Sequence, residues 1–142
     1  MTDSPLTGFS SQQTPEGIHK FYVHDTKPPS VDLWFETLMQ IEEGIIKCDG
    51  HMRCLYYMYG VWPTPYTIKR VLEASRRAPE TLKASSAVFF IDTPNLAVRI
   101  VQSLLRQMPS YALQARQIFF NEAEALAWLE ERDKIVHERD IS

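Results

Sequence analysis

The stretch from Met52 to Arg77 constrains this chain most, because it reads as strand, turn and helix in direct succession. Met52-Arg53-Cys54-Leu55-Tyr56-Tyr57-Met58-Tyr59 is almost wholly apolar or aromatic and does not alternate. Such a run suits a strand covered on both faces, as in a parallel sheet. Gly60 ends it, and Val61-Trp62-Pro63 forms the loop. Thr64 then stands where a helix needs an N-cap. Pro65 suits the first helical position, where its missing N–H costs nothing. Ile68, Val71, Leu72 and Ser75 recur along one helical face. Arg76 and Arg77 oppose the negative end of the helix dipole, and Pro79 lies just past the stop. Open α/β sheets bind ligands where strands end and helices begin, so Gly60 to Thr67 is the first place to look for function.

A chain of 142 residues fits one domain and can bury roughly two thirds of its unfolded surface without a covalent staple. Its net charge of −3, with no concentrated basic stripe, argues against nucleic acid as the main partner. Cys48 and Cys54 form no CxxC pair and have no partners at zinc spacing, so they read as reduced thiols, Cys54 in the core and Cys48 in a loop. Met1 to Gln13 lacks the basic and apolar segments of a secretory signal. No apolar run approaches the roughly 20 residues of a membrane span, and the expected location is cytoplasmic.

Taken in order, residues 1–16 read as a Ser/Thr/Gln/Pro-rich flexible tail or a weak edge strand near Phe9. Ile18 to Val23 is the first firm strand. Pro28-Pro29 should block any helix before Ser30, which caps a helix to about Ile46. That helix carries an apolar stripe of Val31, Trp34, Phe35, Leu38, Ile41 and Ile45. Ser86 to Ile91 is a second strand apolar throughout, and Thr93-Pro94 repeats the cap-and-proline signal. Ala97, Val98, Val101, Leu104, Leu105 and Met108 form the buried face of the next helix. Gln117 to Phe120 is a short strand near an edge. Asn121, with Glu124 three residues on, opens a last helix whose apolar content is Ala125, Leu126, Trp128 and Leu129. Residues 133–142 read as a frayed charged tail, leaving 17–132 as the domain. Strand starts recur about every 30–34 residues, the length of a βαβ unit. The order β-α-β-α-β-α-β-α predicts an α/β fold: a small, mostly parallel sheet of four to five strands with helices packed against it.

Chemistry is harder to find. There is no P-loop and no GxGxxG after the first strand, so nucleotide phosphates have no glycine cradle. No serine sits in a GxSxG elbow. Asp25 and Asp92 follow two strands, yet loops and caps favour Asp there too; a metal site between them is the weaker reading. His19, His24, His51 and His137 are scattered and read as solvated turn histidines. Tyr56, Tyr57, Tyr59, Trp62 and Tyr66 cluster in and around the strand-turn-helix, either as packing or as an amphipathic contact surface.

The order of elements, the Tyr59-Gly60-Val61-Trp62-Pro63-Thr64-Pro65 turn and the segment Ile118 to Leu129 resemble the SpoIIAA-like proteins of the STAS class, bacterial relatives of the anti-sigma-factor antagonist. The resemblance covers about residues 17–132. It implies a STAS-like domain with an added first edge strand, and regulatory protein binding or apolar-ligand binding, with no cofactor. In the antagonists a serine at the start of the second helix is phosphorylated to release the partner, and Thr64 is the nearest match. Trp62-Pro63-Thr64-Pro65 departs from the family's Asp-Ser pair there.

The expectation is thus a non-enzymatic regulatory module that binds a protein partner, a second copy of itself included, through Tyr59, Trp62, Thr64 and Tyr66. Thr64 is the candidate phosphosite, and neither catalytic residues nor metal ligands are assigned. The alternative is a carrier or sensor of a small apolar ligand or lipid; an enzyme using Asp25, Asp92 and a tyrosine comes third. A cavity would favour the carrier, and a filled core under an exposed aromatic patch would favour the protein-binding module.

Overall fold

The computed structural model describes residues 8–141, with side chains to residue 138. Met1 to Thr7, the first part of the expected tail, and Ser142 lie outside the described residues. The elements run β1 (Phe9–Gln13), β2 (Ile18–Val23), α1 (Pro28–Cys48), β3 (His51–Tyr59), α2 (Pro65–Arg77), β4 (Lys83–Ile91), α3 (Asn95–Gln107), β5 (Gln114–Phe119) and α4 (Glu122–Ile141). The strands form one sheet in the order β1-β2-β3-β4-β5. β1 is antiparallel to β2, and every other pair is parallel. The molecule is therefore α/β and mostly parallel, with the short polar β1 added at one edge. Leu55 pairs with Ala87 and Tyr56 with Val88, so the two wholly apolar runs lie side by side in the middle of the sheet.

Period-two alternation divides each central strand between two layers. Met52, Cys54 and Tyr56 of β3 and Val88 and Phe90 of β4 face the layer built by α1, α2 and α3. Leu55, Tyr57, Tyr59, Ala87 and Phe89 face α4, which packs Ala125 and Leu129 onto them. One helix covers the second face where three cover the first.

Local chemistry explains where the elements depart from expectation. Lys27 occupies the N-cap of α1 without a side-chain bond, and Pro28-Pro29 fill its first turn instead of blocking it. First-turn N–H groups have no intrahelical partner, so proline loses nothing there. Ser30 is thereby freed for tertiary work: its hydroxyl donates to Asp25 Oδ1 at 2.7 Å and accepts from Gly8 N at 2.8 Å. The helix α3 starts one residue late, with Pro94 at its N-cap, and Thr93 Oγ1 donates back to Ile91 O at 3.1 Å. Asn121 does cap α4, accepting from Glu124 N at 3.1 Å. The charged C-terminal segment is not a frayed tail, because α4 continues to Ile141 and buries Val136. Cys48 closes α1 and does not lie in a loop, while Cys54 is in the core as expected.

Candidate functional site

The four residues singled out at the strand-turn-helix do not form one site. Tyr59 points to the α4 face, where its ring stacks on His24 with centroids 4.3 Å apart. Trp62 is 43% exposed, and its carbonyl accepts from Thr26 Oγ1 at 2.6 Å. Thr64 caps α2: its Oγ1 accepts from Thr67 N at 3.1 Å, and Thr67 Oγ1 accepts from Thr64 N at 3.2 Å, a closed capping box. Tyr66 donates its hydroxyl proton to Asp32 on α1, which raises the phenol's pKa. A shallow groove joins Trp62, Thr64 and Tyr66 to the β2–α1 loop but does not reach Tyr59.

The concave feature lies elsewhere, between the sheet and the α1–α2–α3 layer. It is a cavity of about 180 Å³, mostly apolar, walled by Trp34, Leu38, Met52, Val71, Val88 and Leu104 among others. An apolar hole of roughly 150 Å³ is enough to admit benzene, and drug-sized ligands occupy roughly 300 Å³ or more. A small molecule or a single chain of medium length is the scale that fits. Tyr56 belongs to this cavity, and Tyr59 and Trp62 do not.

Among the polar side chains that break the apolar wall are Tyr56, Glu42 and Arg116. Tyr56 Oη accepts from Trp34 Nε1 at 2.9 Å and donates to no described residue. Burial lifts that phenol well above its usual range. Glu42, only 7% exposed, lines the cavity from α1 with no hydrogen bond to a described residue. Burial pushes its carboxyl up to about 7, so it is largely protonated below neutrality. Arg116 reaches in from β5, donating through Nη1 to Pro109 O at 2.9 Å. It makes no ion pair among the described residues, and burial pulls its guanidinium down from the ordinary arginine range. No known family, curated protein or solved structure matches this chain. The arrangement is therefore read from its own geometry.

A second polar cluster was missed in the sequence. His51 Nδ1 lies 2.8 Å from Asp133 Oδ1, and His51 Nε2 lies 2.8 Å from Ser85 Oγ. This histidine is not a solvated turn residue: its side chain is 4% exposed. Burial lowers its pKa against the upward pull of Asp133, which favours the neutral ring. The connectivity is that of a Ser-His-Asp triad, but its setting differs from a nucleophile's. Ser85 sits inside β4 with 0% exposure, and Oγ is shared with Arg132 Nε at 3.3 Å. An acyl donor has no path to that oxygen. The cluster ties α4 to the end of the sheet where β3 and β4 begin. Its sequence signal was the alternation that puts His51, Leu55 and Tyr57 on one face, with a helix-spaced partner at Asp133.

The acidic pair proposed after β2 and β4 is not assembled into a metal site. Asp25 Oδ1 accepts from Ser30 and from Lys27 N at 3.0 Å, and the Ser30 bond is the main reason its pKa is lowered. Among the described residues no three His, Cys, Asp or Glu side chains group to hold a metal.

Proposed function

We propose that this chain is a non-catalytic carrier or sensor of a small, largely apolar ligand held between the sheet and the α1–α2–α3 layer. The observation that carries the reading is the cavity itself. Protein interiors pack to crystal density, and an apolar hollow of this size between two layers costs stability unless a ligand offsets it. The STAS-like resemblance implies protein binding or apolar-ligand binding, and the carrier reading takes the second. Two unpaired thiols and the absence of any described helix long and apolar enough to cross a membrane suit a cytoplasmic module.

The test is fluorescence titration with N-phenylnaphthylamine, an uncharged apolar reporter. Its emission should rise on binding to the wild type. Ala84→Phe, which projects a ring into the cavity from β4, should abolish the rise while far-UV circular dichroism is retained. A reporter that stays dim with the wild type rejects the reading.

A protein-binding role has its own support. Trp62, Leu96 and Phe120 are exposed large apolar residues in the segments that follow β3, β4 and β5. Parallel strands bring those segments to one end of the sheet, so the three side chains rim the same end. This suits a protein partner that reads whether the cavity below is filled, with Thr64 in the same rim.

A further inference from the structure

The cavity's polar groups are placed unevenly, and the placement bears on the ligand's chemistry. Across the sheet, Cys54 pairs with Ser86 and Ser86 with Arg116, so these three form one row, of which Ser86 and Arg116 line the cavity. Neighbouring strands lie roughly 4.8 Å apart, which separates the Cys54 and Arg116 backbones by about 10 Å. Glu42 stands at the Cys54 end, where its charge is felt by the Cys54 thiol. Arg116 stands at the other end, on the sheet's edge strand, and is only partly buried. The rim end of the row is thus cationic and the interior is apolar.

Arg116 has five N–H donors, of which one is spent on Pro109 O. A guanidinium does not deprotonate in a protein, so this half-buried cation keeps its charge, and it has no counter-ion among the described residues. Of the described residues lining the cavity it alone is cationic. Ser86 beside it lines the same cavity and makes no hydrogen bond to a described residue. A planar fork next to a hydroxyl matches a carboxylate. A single positive charge balances a monoanion and leaves a phosphate dianion half uncompensated.

Resting on the carrier reading, we propose that the ligand is a single-chain amphiphilic carboxylate, of the medium-chain fatty-acid class. Its carboxylate is held by Arg116 and Ser86 at the rim, and its chain lies along the apolar wall toward Trp34 and Leu38. Glu42 at the inner end is acidic and offers an anion no competing anchor, so Arg116 fixes which end of the row the carboxylate takes.

The experiment is displacement of N-phenylnaphthylamine at pH 8 by decanoate, decanol and decyl phosphate, each below its micellar concentration. Wild type should release the reporter at a decanoate concentration at least tenfold lower than that of decanol. Decyl phosphate should compete no better than decanoate. In Arg116→Met the ratio of decanoate to decanol affinity should collapse toward unity, and Arg116→Lys should keep part of it. Equal potency of decanoate and decanol on the wild type overturns the proposal while leaving the carrier reading intact, and needs no variant to fold. Stronger competition by decyl phosphate replaces the carboxylate with a phosphate. Retention of the full preference in Arg116→Met removes Arg116 as the anchor. Failure of the reporter to bind wild type at all rejects the carrier reading and this proposal with it.

Discussion

At the residue scale, Glu42 and His51 bias stability in opposite directions with pH. The folded pKa of Glu42 is about 7 against an ordinary 4.5, so the folded state holds its proton more tightly than the unfolded chain. Stability from this group is full below the unfolded value, falls as pH climbs between the two, and is flat above. His51 is shifted downward from 6.5, so its contribution is lost as pH drops through that value. Glu42→Gln isolates the first effect. Urea denaturation should show the variant stabilised by about 2 kcal/mol at pH 8 and little changed at pH 5. No difference between the two pH values would mean that the carboxyl is solvated. Thr64 gives a second residue-scale outcome. Its hydroxyl is committed to the α2 cap, so Thr64→Ala should cost about 1 kcal/mol and Thr64→Ser almost nothing. For Ser85, an active-site fluorophosphonate should leave the folded protein unlabelled, because the oxygen is enclosed; stoichiometric labelling at Ser85 would show an open, reactive state.

At the scale of elements, α4 shows what was legible and what was not. Capping by Asn121 and docking by Leu129 could be read directly, since both are local grammar. The helix's second half was misread because Glu130, Glu131, Lys134 and Glu138 dominate its composition. Ala125, Leu129 and Val136 nonetheless fall at i, i+4 and i+11, one face of a helix, and all three are buried. Val136→Ala should therefore cost roughly 1–3 kcal/mol in a thermal or urea melt, where a frayed tail would register nothing. The site was less legible than the fold for a related reason. Strand parity assigns Tyr56 and Tyr59 to opposite layers, so adjacency in sequence made one cluster of residues that the sheet separates. The cavity is a property of distances between layers, which periodicity does not encode. Arg116 fell outside the expected strand, Gln117 to Phe120, and it is the observed β5 beside β4 that brings it to the cavity.

At the scale of the whole molecule, the sheet order ranks local stabilities. β3 and β4 are each flanked by parallel partners and covered on both faces, so their amides open only when the domain does. β1 pairs on one side only, and four of its five residues are exposed. Native-state hydrogen exchange should therefore be slowest at Cys54–Tyr57 and Ala87–Phe90, faster through β5, and fastest among the strands in β1. The cavity lies under α2 and α3 and not under α4, so the three-helix layer should open at lower free energy than the α4 layer. Filling the cavity should narrow that difference. With ligand at about 100 times its Kd, the folded state gains about 2.7 kcal/mol, and the added protection should fall on α1, α2 and α3 while α4 changes least. Uniform protection across both layers would place the bound molecule elsewhere. Slowing confined to α4 and Tyr59 would place it on the opposite face of the sheet, against the Tyr22–Tyr57 stack.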